Sequence, residues 1–147
     1  MRHITDDGLE IIMHHEGFVP EVYNCPAGIP TIGYGHVVLK GENFDNGISK
    51  EEGMEILRKD VEIAERAVLR LCSVPLEDEQ FDALVSWTFN LGSGTLQRST
   101  LRQCVLREDH EEVPRQMKRW VYSGGKKLKG LIRRRDDEAQ LYASANF

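Results

Sequence analysis

The chain has 147 residues, of which 40% are hydrophobic and 29% charged, enough to build a core and too apolar for a disordered tail. No apolar run approaches the roughly 18–20 residues of a membrane-spanning helix. A net charge of −5, from 19 Lys+Arg against 24 Asp+Glu, argues against a dedicated nucleic-acid binder, whose affinity rests on phosphate neutralisation. The start, Met1-Arg2-His3-Ile4-Thr5, has no basic end followed by an apolar stretch and cleavage site, so no signal peptide is expected.

The first predicted element is a short helix near Thr5–His15, with Ile4, Leu9, Ile12 and Met13 on one face and Gly17 as its stop. Residues 18–48 change character. Phe18–Tyr23 and Thr31–Val37 are strand-like and are separated by Pro26-Ala27-Gly28, a tight turn, so a small antiparallel hairpin or three-stranded sheet is expected. Ser49 with Glu52 reads as a capping box, and Met54, Leu57, Val61, Ala64, Val68 and Leu71 then form one apolar seam. This seam predicts a single helix of about twenty residues, near 30 Å long. Beyond Leu76 the pattern is helical. Asp78–Leu91 comes first, then a break at Gly92-Ser93-Gly94. Short helices near Thr100–Arg107 and Asp109–Val121 follow, then a flexible loop at Gly124-Gly125 and a last helix over Leu131–Ala143. The fold class is α+β: a sheet-containing lobe over about 14–50, a connecting helix over about 51–71, and a helical lobe over about 76–147 joined by the first helix.

The three cysteines, Cys25, Cys72 and Cys104, are widely spaced and form neither a disulfide framework nor a metal motif. Glu16 ends the first helix. A carboxyl at that negative pole is disfavoured in its ionised form, a useful property in a general acid. Cys25 and Thr31 flank the turn, where a thiol and a hydroxyl could hold one water; a buried thiol and an ordinary strand threonine are the plainer readings. Gly33 and Gly35 alternate with Tyr34 and His36, leaving open backbone for a close-approaching ligand chain or a bulge. Between Arg115 and Arg135 stand nine Lys/Arg and no acid. That stretch faces an anionic polymer or is a solvated helix face.

Glu16, eight residues, Cys25, five residues, Thr31, then Ile32-Gly33-Tyr34-Gly35-His36: this pattern resembles the phage-type lysozymes, the endolysin muramidases. Phe81–Gly92, Ser99-Thr100-Leu101, Arg119–Gly125 and Gly130–Arg135 continue the resemblance in the same order, over about residues 5 to 142. It implies a lysozyme-like fold and a peptidoglycan hydrolase that cuts the β-1,4 bond between N-acetylmuramic acid and N-acetylglucosamine, lysing the host cell. Glu16 is then the general acid. The position of Cys25, most often Asp in the family, helps activate or place the attacking water, and Thr31 orients it, with inversion at the anomeric carbon. Cys25 departs from the common pattern. A free thiol titrates at about 8.5, and a nearby Glu16 carboxylate is expected to push it upward, leaving Cys25 to orient water.

By the same resemblance Val37, Phe89, Asn90 and Thr100 line the saccharide cleft, and Arg133 or Arg134 supplies the basic group beside Glu16. His36 makes a structural ion pair with an acid elsewhere, and Trp87 and Trp120 lie in apolar stripes of the core. The reaction needs water and no metal or organic cofactor. The resemblance also implies bacterial peptidoglycan as the partner, no nucleic acid, and a monomer. The enzyme would wait in the host cytoplasm and reach the wall in the periplasm through a holin lesion, without touching the holin. Two rivals are a peptidoglycan peptidase or amidase with Cys25 as nucleophile and His36 as base, and a non-catalytic peptidoglycan-binding module.

Overall fold

The computed structural model describes residues 1–145 and is an α+β chain of eight helices and five short strands among those residues. It divides into two compact units, one of residues 13–62 and one of residues 1–12 with 63 onward. No helix among the described residues is long and apolar enough to cross a membrane.

The 13–62 unit begins with the end of α1 (Asp6–Glu16), whose first turn is acidic and last turn basic, as the helix dipole favours. Three strands follow: β1 (Val19–Asn24), β2 (Pro30–Gly33) and β3 (His36–Val37), antiparallel in the order β1-β2-β3. Tyr23 pairs with Thr31, and Thr31 with Val37, so these three form one row across the sheet. Ile32 and His36, paired on the opposite face, are buried. α2 (Lys50–Asp60) opens on the predicted capping box: Glu52 N–H donates to Ser49 Oγ (3.1 Å), and Ser49 N–H donates to Glu52 Oε1 (3.0 Å). Gly53 interrupts the helix formers of α2 for a packing reason. A methyl group there would stand 2.8 Å from the Phe18 ring, which packs against Tyr34 with centroids 5.1 Å apart.

The predicted twenty-residue helix is two helices. Val61 separates α2 from α3 (Glu62–Leu71), with φ −73° and ψ −13°, a tightened turn whose N–H reaches the carbonyls of both Leu57 and Lys59. The apolar seam survives the break: Leu57, Val61, Ala64, Val68 and Leu71 are all buried.

In the other unit, α4 (Asp78–Leu91) is the central element, with Phe81, Leu84, Val85 and Trp87 almost fully buried. It packs against α8 (Lys129–Ala143), which starts two residues earlier than predicted. Gly92, at φ +96°, ends α4, but Ser93 and Gly94 do not extend the break. They start α5 (Ser93–Arg98), a helix the glycine-serine composition disguises. α6 (Thr100–Leu106) takes Ser99 as its N-cap, whose hydroxyl accepts from Arg102 N–H at 3.0 Å. α7 is confined to Val113–Met117, shorter than predicted. The expected flexible loop at Gly124-Gly125 is a hairpin of β4 (Tyr122–Ser123) and β5 (Lys126–Lys127). Both glycines have positive φ (+56° and +78°), the requirement of a two-residue type I′ turn.

The chain entering α1 is tied down by carboxylates of this unit. Ile4 N–H donates to the buried Glu65 (2.6 Å), and Thr5 N–H donates to Asp82 (3.0 Å), with the Thr5 hydroxyl also on Asp82. Gly8 follows because any side chain would collide with Asp82, 2.6 Å from a Cβ built there.

Candidate active site

Glu16 ends α1, half-buried, and Gly17 at φ +71° turns the chain away from it. Its carboxylate lies over the β2–β3 turn: a methyl group built on Gly35 would sit 2.9 Å from Glu16 Oε1. The open backbone at Gly35 is therefore space for Glu16, where a ligand chain or a bulge was the sequence expectation. Gly33 has a different reason, since a methyl there would meet Ile48 Cδ1 at 3.1 Å.

Cys25 and Thr31 lie at the other end of β2. Gly28 N–H donates to the Cys25 carbonyl (2.7 Å) and Cys25 N–H to the Ile29 carbonyl (3.0 Å), closing a three-residue loop with Gly28 at φ +78°. This loop gathers backbone donors around the sulfur. The N–H groups of Ile29 and Ala27 favour the thiolate and hold the Cys25 thiol below its ordinary range. The expected upward push is overturned. Backbone hydrogen bonding sets the direction here, and Cys25 is a more acidic thiol than its sequence neighbours suggest.

Thr31 is 4% exposed, and its hydroxyl donates to the Ile29 carbonyl at 2.9 Å. With that proton committed, its remaining lone pairs can accept from a water. Val37, opposite Thr31 in the sheet, is 48% exposed, so an apolar contact surface adjoins the threonine. The 13–62 unit thus carries Glu16, Cys25, Thr31 and Val37.

His36 is buried and fully engaged. Its Nδ1 lies 2.8 Å from Asp60 Oδ2 and its Nε2 lies 2.9 Å from Glu42 Oε1, while Glu42 also accepts from Leu39 N–H. Burial alone would lower its pKa, but the bonds and charges of Glu42 and Asp60 outweigh that and raise it. The anticipated ion pair is a clasp of two acids. With both ring nitrogens occupied, no nitrogen remains to serve Cys25 as a base.

The remaining candidates belong to the other unit. Phe89 and Asn90, on the last turn of α4, are half-buried, unlike the buried run before them, and Thr100 is exposed at the start of α6. Arg133 is exposed, whereas Arg134 is buried and joined to Glu138, its Nε 3.1 Å from Oε2 and its Nη2 donating to the Ser86 carbonyl at 3.2 Å. Two further residues that the sequence analysis gave no role in the site join this cluster. Arg135, fully buried, has its Nε 2.9 Å from Glu138 Oε1 and donates through Nη2 to Asn90 Oδ1 at 2.6 Å. Glu138 also accepts from the Ser86 hydroxyl at 2.6 Å. The three- and four-residue spacings from Arg135 and Arg134 to Glu138 were the available signal, hidden in a run that reads as a solvated face.

The Phage lysozyme family profile matches residues 13–138, from just before Glu16 to Glu138. The chain belongs to this family. It is 33% identical to an endolysin of Acyrthosiphon pisum secondary endosymbiont phage 1, covering 97% of this chain and 99% of that protein. It is 34% identical to an endolysin of Bacillus phage B103 over 95% of this chain, and spans only 53% of that longer relative. Among solved structures, the endolysin of Escherichia coli O157:H7 phage FAHEc1 superposes with a TM-score of 0.88 at 34% identity, covering 97% of this chain and 94% of that one. The phage-lysozyme resemblance of the sequence and its α+β expectation are thereby confirmed.

Proposed function

We propose that this chain is a peptidoglycan-degrading endolysin that hydrolyses the β-1,4 bond between N-acetylmuramic acid and N-acetylglucosamine. The observation that carries the reading is the placement of the Glu16 carboxylate over Gly35, on the hairpin whose strand β2 holds Thr31 beside the acidified thiol of Cys25. Family membership and the endolysin relatives support it.

In the proposed reaction, protonated Glu16 donates to the departing glycosidic oxygen as the bond to the anomeric carbon breaks. Water attacks that carbon from the opposite face, oriented by the free lone pairs of Thr31. Cys25, at the mouth of the same turn, is proposed to help place that water, and the proton the water loses passes to solvent. Glu16 ends ionised, and exchange with solvent restores its proton. The configuration inverts, and the products are a reducing N-acetylmuramic end and a new 4-hydroxyl on N-acetylglucosamine. Val37, Phe89, Asn90 and Thr100 are proposed saccharide contacts. Arg133 or Arg134 is the proposed cationic support of Glu16. The proposed enzyme is a monomer that needs no cofactor, waits in the host cytoplasm, and reaches the wall in the periplasm through a holin lesion without contacting the holin.

Product analysis tests this directly. Purified peptidoglycan digested by the protein and reduced with borohydride should yield muramitol at the new ends and no new free amines. New amines would indicate a peptidase or amidase, new ends on N-acetylglucosamine a different glycosidase, and the absence of products a binding module; each would overturn the proposal.

A further inference from the structure

The structure sorts the basic stretch between Arg115 and Arg135. Arg134 and Arg135 are buried against Glu138, Arg115 pairs with Glu112 at 3.0 Å, and Lys118 lies 3.8 Å from Asp136. Arg119 donates to Gln116 at 2.9 Å. Lys126, Lys127, Lys129 and Arg133 are left exposed, and among the described residues none of the three lysines forms an ion pair with a carboxylate. All three sit on or beside the β4–β5 hairpin.

The hairpin is a defined platform. Its type I′ turn fixes the register Tyr122↔Lys127 and Ser123↔Lys126, and Leu128 N–H extends the ladder to the Val121 carbonyl at 2.9 Å. Directly paired residues project from the same face, so Tyr122 stands beside Lys127. Tyr122 is 62% exposed and Leu128 41%. Trp120, just before β4, is 39% exposed on one side and held edge-on to the buried Trp87 ring on the other, with centroids 5.7 Å apart. The sequence expectation that both tryptophans are core holds for Trp87 alone.

Lysines alone would suit any polyanion. Tyr122 and Leu128 add exposed apolar surface that a hydrated polyanion does not use. An anionic lipid surface uses both: headgroup charge attracts the lysines, and aromatic and aliphatic side chains settle at the headgroup boundary. The rest of the chain is net acidic and is repelled by the same surface, so contact is confined to the hairpin. We infer that the β4–β5 hairpin is a docking element for an anionic lipid surface that it enters turn-first, so that Lys127 and Tyr122 on one face and Lys126 and Leu128 on the other both reach the headgroup layer, with Lys129 beside them. This inference stands apart from the proposed hydrolysis and is tested without it.

The test is co-sedimentation of the full chain with vesicles of phosphatidylglycerol and phosphatidylethanolamine, beside phosphatidylcholine vesicles. Binding is expected to the anionic vesicles alone, with a blue shift of Trp120 emission, and to weaken with salt. Each lysine contributes about fivefold, so the Lys126→Gln/Lys127→Gln variant should lower the partition coefficient about twenty-five-fold. Tyr122→Ser should lower it severalfold with the salt dependence unchanged. Circular dichroism and melting curves confirm that each variant is folded. Equal binding to both vesicle types, or a double variant that binds like the parent, overturns the inference. So does a Tyr122→Ser protein that binds like the parent while soluble polyphosphate displaces both proteins, which would mark a charge-only polyanion site.

Discussion

Replacing Gly35 with alanine tests whether the β2–β3 turn holds Glu16 in place, and two effects can be separated. Gly35 has φ +81°, a conformation that costs a residue with a side chain roughly 1–2 kcal/mol. At about 2–4 °C per kcal/mol for a chain of this size, the melting temperature should fall by about 2–8 °C. The second effect is local: the new methyl would stand 2.9 Å from Glu16 Oε1, so the carboxylate must move by about half an ångström to reach ordinary contact. A displacement of about 1 Å can cost about a hundredfold in rate, so a loss of about tenfold or more is expected. Gly41→Ala is the control. Gly41 has φ +91° and nothing within 4 Å of a built Cβ, so it carries the same backbone strain without the contact. Both variants should lose similar stability in thermal melts. Only Gly35→Ala should lose lysis of chloroform-treated Gram-negative cells. Equal activity in the two variants would refute the idea that Gly35 makes room for Glu16.

Three further outcomes follow from the packing and the titrating groups. The Asp60 bond to His36 is worth roughly 1.5–3 kcal/mol, so His36→Asn should be less stable by about that amount at mildly acidic pH. Because folding raises the His36 pKa, its contribution is complete below the unfolded value near 6.5 and is lost as pH rises through the folded value. The wild-type advantage in melts should shrink accordingly, and a pH-independent difference would contradict the clasp. Glu138→Ala leaves two buried guanidinium groups without their acid and should cost roughly 3–5 kcal/mol, measured by urea unfolding; a loss below about 1 kcal/mol would contradict the buried network. Iodoacetamide should add one group to the folded chain, at Cys25, since Cys72 is buried with its thiol pushed up to about 11 and Cys104 is also buried. Rapid multiple labelling seen by mass spectrometry would contradict that ordering.

The parts of the fold carried by periodicity were legible in the sequence. The capping box of Ser49 and Glu52, the buried seam from Leu57 to Leu71 and the α4 core residues are where the pattern places them. What escaped it lies at a finer scale. The break at Val61 is a change of one ψ angle with no glycine or proline to announce it, and α5 begins in a Ser-Gly pair because only Gly92 needs positive φ. The Gly124-Gly125 turn was visible, but strands of two residues give no alternation to read. In the candidate site, the spacing of Glu16, Cys25 and Thr31 was legible as a family pattern, while the direction of the Cys25 shift was not. Coulomb reasoning from a nearby carboxylate points upward, and the backbone donors of Ile29 and Ala27 emerge only once the loop is closed. Glu42 as a second acid on His36, and Arg135 behind Asn90, depend on tertiary contacts no local signal encodes.

The most direct test of the central claim is the rate at which folded Glu16→Gln releases reducing ends from purified peptidoglycan. Glutamine keeps the size of the side chain and removes the transferable proton, so the rate should fall by about a hundredfold or more with the melting temperature little changed. A Glu16→Gln protein that hydrolyses at the parent rate would contradict the account.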